Sequence, residues 1–335
     1  MRRTYGVLSS VALNQRERLC GLDPRTTSFV LFVTAAQRLP TRHYTKATSS
    51  TSTQTTTTTW DCCPFFPRVE GKAREEDERT NGEKCLVGGG ETSAVVVVDR
   101  PLYPDRPNYA HYLTIFSNLW HNAQLRVCAD GGANRVHALS KESYVPDFII
   151  GDLDSARDDV LDYYTNTKGT QLLRVAEQET TDLDKCIRTI WELENKRSVH
   201  YKYIYIFGGF GGNFTQELSN LNVLYKYSPR KLILVSPLNV GFVLHPGRHV
   251  IVVPPTEVME STKPIQCGLL PIGGSCVGIT TSGLRWNLGD NTELRFGGLI
   301  STSNEIADRD GRVVVNTPNN VFWTLDFRKY LAITP

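Results

Sequence analysis

Residues 149–159, IIGDLDSARDD, place two aspartates directly after an apolar run. Asp152 and Asp154 are one residue apart, and a helix is predicted to begin near Ala156. Aspartate and serine are common in turns and at helix N-caps, so one interpretation of the segment is structural. The other is that the two carboxylates bind a hard cation, which in turn binds phosphate. The segment alone is compatible with both interpretations.

Polar residues follow three further apolar runs in the same way, in the segments ADGGANR, AEQETTDLDK and GGFGGNFTQ. The candidate residues there are Asp130, Gly131, Gly132, Gln178, Thr181, Asp182, Lys185, Gly211, Gly212, Asn213 and Thr215. In open α/β sheets, ligands bind at the carboxyl ends of the strands, and helix N-termini favour anions. Neither the GxGxxG nor the Walker A fingerprint is present. Carboxylates and glycine amides at one edge nevertheless indicate Mg²⁺ bound together with a polyphosphate.

The alternation of short apolar runs with helical periodicity predicts the fold that positions these residues. The apolar runs are residues 94–99, 125–130, 147–150, 171–175, 203–209 and 231–236, and the helical stretches are 108–120, 180–194 and 211–227. This pattern is typical of a doubly wound, mainly parallel α/β domain, which we expect over residues 94–237. After residue 238 short strands alternate with Gly, Pro and Asn turns. We therefore expect a C-terminal β-sandwich over residues 238–335.

Residues 1–93 are expected to be a disordered, low-complexity N-terminal extension. The stretch TSSTSTQTTTTT is almost entirely Ser and Thr, and such a composition buries too little apolar surface to offset its ordering entropy. The first 60 residues carry eight Lys or Arg and two acids, which is also typical of an organellar transit peptide. Both an untargeted tail and a targeting segment fit, and we take the cytoplasm as the expected compartment.

Overall composition excludes several classes of protein. The net charge is +2, which gives no reason to expect nucleic-acid binding. No apolar run approaches the roughly 18 residues that a membrane-spanning helix requires. The eight cysteines show no CxxC spacing, so neither a zinc site nor a disulfide framework follows, and a reducing compartment is the simplest inference.

With these residues in place, the chain resembles the thiamine pyrophosphokinase family. The motifs RVCADGGANR, PDFIIGDLDS, TTDLDKC, GGFGGNFTQELSNLNVL, GLLPIGG, TTSGLRWNL and STSNE occur in order across residues 95–330. The resemblance implies transfer of a pyrophosphoryl group from ATP to the hydroxyethyl oxygen of thiamine, giving thiamine diphosphate and AMP. It also implies Mg²⁺, a homodimer, and an α/β domain followed by a β-sandwich.

The family pattern also implies roles for individual residues. Metal and phosphate would be held by Asp130, Asp152, Asp154 and Asp182, the last three being the catalytic set, with Gln178 and Thr181 beside the substrates. Lys185 would neutralise phosphate charge, although a lysine on a helix surface is an equally good interpretation. The β-sandwich would contact thiamine across the dimer interface through Trp286, Ser301, Ser303 and Asn304. A core tryptophan is the alternative for Trp286.

The chain departs from the family pattern after its glycine turn. The family usually has Arg-x-Asp there, whereas this chain has Asn213 and Thr215. A cation able to bind phosphate and a carboxylate near the substrates are therefore missing, and removing one electrostatic contact from a transition state costs about 10²–10³ in rate. The alternative function is accordingly a catalytically impaired thiamine- or nucleotide-binding homologue. A phosphohydrolase built on GDLDS lacks the further motifs that such an enzyme needs.

Overall fold

The computed structural model describes residues 56–66, 92–103, 109–255 and 263–327. Strands and helices alternate in its first half. The elements are β1 (Thr57–Asp61), β2 (Ser93–Val97), α1 (Ala110–Asn122), β3 (Leu125–Ala129), α2 (Gly132–Ser140), β4 (Phe148–Gly151), α3 (Asp158–Asp162), β5 (Gln171–Arg174), α4 (Asp182–Arg197), β6 (Tyr203–Phe207), α5 (Phe214–Lys226) and β7 (Leu232–Val235). A π-helical turn, Tyr163–Thr167, continues α3.

The second half of the chain contains strands and turns. The strands are β8 (Asn239–Leu244), β9 (Gly247–Val252), β10 (Gln266–Leu270), β11 (Cys276–Val277), β12 (Thr280–Ser282), β13 (Glu293–Leu294), β14 (Ser301–Glu305), β15 (Arg312–Thr317) and β16 (Val321–Asp326). The change from alternating helices and strands to strands alone follows the change in sequence pattern near residue 238.

Six strands form a parallel sheet in the order β7-β6-β2-β3-β4-β5. Strand β2 lies between β3 and β6, so the chain winds outward from it in both directions. Successive residues of β2 contribute to two different hydrophobic clusters, Val95 and Val97 to one and Ala94 and Val96 to the other. Since side chains alternate across a strand, both faces of the sheet are covered. The predicted doubly wound α/β arrangement is confirmed.

The β-sandwich is built onto the same sheet. Strand β8 pairs antiparallel with β7, and β16, β10 and β14 follow, which makes a ten-stranded sheet. A second sheet has the order β1-β9-β15-β12, and its residues Ile251 and Val313 share a hydrophobic cluster with Phe242 and Trp323 of the large sheet. The predicted C-terminal sandwich is therefore present. The large sheet nevertheless runs without interruption across the expected boundary at residues 237–238.

One part of the expected N-terminal extension is ordered. Strand β1 pairs in parallel with β9, with Thr57 opposite Arg248 and Asp61 opposite Val252. Trp60 is 1% exposed within the sandwich. The predicted disorder of residues 1–93 is therefore wrong for residues 57–66. The composition argument failed because threonine is β-branched and fits a strand, and because aromatic residues directly follow the threonine run. Residues 1–55 and 67–91 lie outside the described part of the chain.

Cysteines and helices provide two smaller observations. Five cysteines are free and buried, namely Cys62, Cys128, Cys186, Cys267 and Cys276. Cys63 is disulfide-bonded, which the scattered spacing did not predict.

Among the described residues, no helix is both long enough and apolar enough to cross a membrane.

Candidate active site

Three carboxylates meet at the carboxyl ends of β3 and β4. Asp130 follows β3 with a φ of +42°, and Asp152 and Asp154 follow Gly151 at the end of β4. One oxygen from each carboxylate lies within 4.8 Å of the others. Asp130 is buried, Asp152 is half-buried and Asp154 is exposed, so the cluster opens from the sheet edge to solvent. We call these three residues the carboxylate cluster.

Asp130 also fixes the loop between β4 and α3. Its carboxylate accepts hydrogen bonds from the backbone N–H groups of Ala156, at 2.8 Å, and Ser155, at 3.4 Å. Burial, followed by a hydrogen bond shared with Asp152, raises the pKa of Asp130 to about 6. Although burial acts in the opposite direction, the hydrogen bond with Asp130 and the charge of Lys185 lower the pKa of Asp152. The pKa values of the two adjacent carboxylates are thus shifted in opposite directions, as expected where like charges converge.

Asp182 lies near this cluster and is linked to it through Lys185. Helix α4 begins at Asp182, and the Thr181 side chain caps it by accepting a hydrogen bond from the Asp184 N–H. The Lys185 ammonium lies 2.9 Å from an oxygen of Asp182 and 3.9 Å from an oxygen of Asp152. Its side chain is only 2% exposed, so the interpretation as a lysine on a helix surface is wrong. Lys185 neutralises part of the negative charge at this edge.

The glycines after β3 have a packing role. A Cβ atom on Gly132 would lie 2.1 Å from the carbonyl oxygen of Val97, and one on Gly131 would lie 2.6 Å from a carboxylate oxygen of Asp99. Both distances are far below any real Cβ contact. Gly132 faces a backbone carbonyl, so position 132 requires glycine, whereas a side chain at position 131 would have to displace the Asp99 carboxylate. The loop that follows β2 thereby packs directly against the residues beside Asp130.

A glycine turn joins β6 to α5. Gly208, Gly211 and Gly212 have φ values of +79°, +86° and +88°, which side-chain-bearing residues rarely adopt. Asn213 then caps α5, since its side-chain oxygen accepts from the N–H of Thr215 at 3.0 Å and from the Thr215 hydroxyl at 2.7 Å. Asn213 and Thr215, where the sequence pattern predicted a departure, thus bond to each other. Gln178 lies exposed in the separate loop between β5 and α4.

Comparison with known proteins gives the family. The profile "Thiamin pyrophosphokinase, catalytic domain" matches residues 116–235, and "Thiamin pyrophosphokinase, vitamin B1 binding domain" matches residues 248–322. "Thiamine pyrophosphokinase 1" of Arabidopsis thaliana is 40% identical over 225 residues, which is 63% of this chain and 81% of that protein. "Thiamine pyrophosphokinase 3" of Oryza sativa subsp. japonica is 40% identical over 228 residues, with 63% and 82% covered. The chain belongs to the thiamine pyrophosphokinase family.

Solved structures of thiamin pyrophosphokinases share the fold. The yeast crystal structure superposes with a TM-score of 0.60 at 24% identity, covering 74% of this chain and 91% of that one. The enzyme from Candida albicans has a TM-score of 0.59 at 22% identity, with 70% and 89% covered. The α/β sheet with its attached strand-rich region is therefore the architecture of this enzyme family.

In this member of the family, the residues predicted to contact thiamine form a cluster in the β-sandwich. The Asn304 side chain accepts from the Trp286 N–H at 3.2 Å and donates to the Trp286 carbonyl at 2.8 Å. It also lies 3.4 Å from the Ser301 hydroxyl. The Trp286 ring is 54% exposed, which excludes the core-tryptophan alternative, and the Arg285 guanidinium lies 4.7 Å from its centroid. Ser303 is exposed on the same strand.

The two groups of predicted residues lie far apart in one chain of this thiamine pyrophosphokinase family member. Strand β14, which carries Ser301 and Asn304, is the edge strand of the large sheet, and six strands separate it from β3. With seven inter-strand spacings of about 4.8 Å, this corresponds to roughly 34 Å along the sheet. The structure therefore brings Asp130, Asp152 and Asp154 together and keeps them apart from Trp286.

Arg100 is a residue of this edge that sequence reasoning did not select. It follows β2, and its guanidinium lies beside Gly212 and donates to the Gln216 side-chain oxygen at 3.3 Å. No motif marks it, because its position depends on the contact between two strand ends that are more than 100 residues apart in sequence. The sequence signal that could have identified Arg100 is its place directly after β2, since the other candidate residues also follow strands of this sheet.

Proposed function

We propose that this chain transfers the pyrophosphoryl group of ATP to the hydroxyethyl oxygen of thiamine, giving thiamine diphosphate and AMP. The observation that carries the proposal is the carboxylate cluster at the strand ends of a chain that belongs to the thiamine pyrophosphokinase family. The cluster lies where doubly wound α/β folds bind ligands, and the capped N-terminus of α5 favours phosphate nearby.

The carboxylate cluster fits Mg²⁺, which we propose as the required metal. Oxygen Oδ1 of Asp152 is buried and has no hydrogen-bond partner, which is costly for a carboxylate unless a cation binds it. Asp130, Asp152 and Asp154 would hold the metal, since Mg²⁺ prefers carboxylate oxygens together with substrate phosphates. When bound, Mg²⁺ would neutralise charge on the phosphates of ATP. Asp182 pairs with Lys185 at 2.9 Å, so we propose that it lies beside the metal rather than binding it directly.

The remaining polar groups of this edge position the triphosphate. Lys185 holds Asp182 and Asp152 at fixed distances, so that the carboxylates are ordered before substrates arrive. The backbone of Gly211 leaves room for close approach of phosphate, since no atom lies within 4 Å of a Cβ position there. Phosphoryl-type transfer depends mainly on such positioning and on charge neutralisation.

We propose that thiamine binds against the exposed ring of Trp286, near Ser301, Ser303 and Asn304, and that a second chain supplies this surface. Thiamine is a cationic heteroaromatic, and an indole ring attracts cations. The separation of roughly 34 Å within one chain supports a homodimer, because one thiamine molecule cannot reach both groups of a single chain. We retain the cytoplasm as the proposed compartment. The Arg-rich residues relevant to targeting lie outside the described part of the chain.

The test is a product analysis of the purified full-length chain with thiamine, ATP and Mg²⁺. AMP and thiamine diphosphate in equal amounts are expected. Release of ADP with thiamine monophosphate would contradict pyrophosphoryl transfer, and phosphate release from ATP without thiamine would favour a hydrolase. The impaired-homologue alternative is tested by the double substitution Asn213→Arg and Thr215→Asp. A rise of several orders of magnitude from near zero would support that alternative.

A further inference from the structure

The loop after β2 lies between the two halves of the candidate active site. Strand β2 is flanked by β6, which leads into the glycine turn, and by β3, which leads into Asp130. Asp99 of this loop contacts Gly131, the residue next to Asp130. The next residue, Arg100, contacts the glycine turn on the other side. A side chain at position 100 is therefore placed between the carboxylate cluster and the N-terminus of α5.

The Arg100 guanidinium occupies the space above Gly212. A Cβ atom on Gly212 would lie 1.8 Å from guanidinium nitrogen Nη1 and 3.0 Å from the central carbon, so a side chain at 212 and this conformation of Arg100 exclude each other. Its other terminal nitrogen donates to the neutral amide of Gln216 at 3.3 Å. The glycine turn thus provides a flat backbone surface on which the guanidinium lies beside the start of α5.

The charge of Arg100 is not neutralised by a carboxylate anywhere in the described ranges. Its neighbour Asp99 pairs instead with Arg135 at 2.7 Å. The other cation considered at this edge, Lys185, is occupied by Asp182 and Asp152. An arginine that lacks an anionic partner beside a helix N-terminus is suited to bind a phosphate in a bidentate fashion.

We propose that Arg100 binds the triphosphate of ATP between the carboxylate cluster and the glycine turn, and so supplies the positive charge that Asn213 and Thr215 do not provide. The assignment rests on the proposed function for the identity of the nucleotide. It depends on this chain's own geometry for the choice of residue. It also gives a reason for activity in a chain whose residues at 213 and 215 are neutral and bonded to each other.

The experiment compares Arg100→Gln with the wild type and with Arg248→Gln, which removes an exposed arginine from β9 in the other sheet. The dissociation constant of ATP with Mg²⁺ is measured by calorimetry without thiamine, and kcat and KM are measured with thiamine. We expect Arg100→Gln to weaken ATP binding at least tenfold and to lower kcat/KM by about 10²–10³. Arg248→Gln is expected to behave like the wild type.

Two further variants test the geometry. Gly212→Ala should also weaken ATP binding, because a Cβ there displaces the guanidinium and the φ of +88° strains an alanine. Gly211→Ala, at a φ of +86° with no atom near its Cβ position, is the control for that strain. Asn213→Arg added to Arg100→Gln should restore at least tenfold of the lost ATP affinity, since it returns a guanidinium to the same turn. ATP affinity within twofold of the wild type in Arg100→Gln would overturn the proposal. A wild type that binds ATP but forms no thiamine diphosphate would refute the proposed function. The calorimetric comparison of ATP affinities would still show whether Arg100 binds ATP.

Discussion

The N-terminal strand is expected to stabilise the whole β-sandwich, and Trp60→Ala tests this. The indole stacks on Phe242 with ring centroids 4.1 Å apart, and its N–H donates to the His249 ring at 3.1 Å. The ammonium of Lys231 lies 5.4 Å from its centroid. Truncation of a fully buried tryptophan costs about 3–5 kcal/mol, which includes the cavity that remains. We therefore expect a loss of about 4 kcal/mol in the free energy of unfolding.

Thermal and urea unfolding, followed by circular dichroism, would measure this loss. A cost of about 4 kcal/mol corresponds to a fall in Tm of about 8–16 °C for a domain of this size. The matched control is Trp191→Ala, because Trp191 is 43% exposed, with ring contacts to Tyr227 and the guanidinium of Arg230. This control is expected to cost at most about 1 kcal/mol. Trp60→Phe should fall between the two, since it keeps the stacking and loses the hydrogen bond.

A truncation provides a second measurement of the same contribution. A chain beginning at residue 67 lacks β1 together with Trp60, Phe65 and Phe66, all of which are buried. We expect it to be insoluble or to unfold at least as early as Trp60→Ala, compared with a chain that begins at residue 56. Equal stability of the two truncated chains, or equal losses in Trp60→Ala and Trp191→Ala, would refute the assignment of β1 to the core.

Three other predictions concern the carboxylates and a buried histidine. Asp152→Asn is expected to abolish turnover and to leave folding without Mg²⁺ intact or slightly more stable, because one of two adjacent negative charges is removed; near-normal turnover would contradict the metal site. Lys185→Met should lower the free energy of unfolding by about 1–3 kcal/mol, since Asp182 and Asp152 lose their shared cation, whereas Lys168→Met, on the exposed pair with Glu142, should have little effect. Burial lowers the pKa of His249 to about 4, so its contribution to stability is complete above about pH 6.5 and is lost as the pH falls toward 4. Urea unfolding at several pH values should show this loss, up to about 3 kcal/mol, and the loss should be smaller in His249→Gln, where His111, whose pKa burial also lowers to about 4, still contributes.

The local sequence pattern determined which elements form and where the candidate carboxylates lie. Apolar runs bounded by Gly or Asp predicted β3 and β4 to within one residue at each end. Once these strands are parallel neighbours, Asp130, Asp152 and Asp154 must meet, because the carboxyl ends of adjacent parallel strands lie at one edge. This part of the site needed only the period of the pattern and the type of residue at each strand end.

Burial within the helices required the tertiary structure. A helical period over residues 211–227 places Phe214, Leu218, Leu221 and Leu224 close to one face of α5. Phe214 is nevertheless 68% and Leu218 42% exposed, whereas Leu221 and Leu224 are buried. Lys185 on α4 is buried although it is charged, because carboxylates at the edge of the sheet neutralise its charge. A helical period defines a face, but the length of the neighbouring sheet decides how much of that face is covered.

Long-range pairing was decided by the tertiary structure alone. Strand β1 has no apolar alternation of its own, and it forms because β9, about 190 residues later, offers an unpaired edge and a cavity that Trp60 fills. The contact of Arg100 with Gly212 likewise depends on β2 and β6 being neighbours. The preference of a segment for strand depends on the surface it packs against, and a local pattern does not contain that surface.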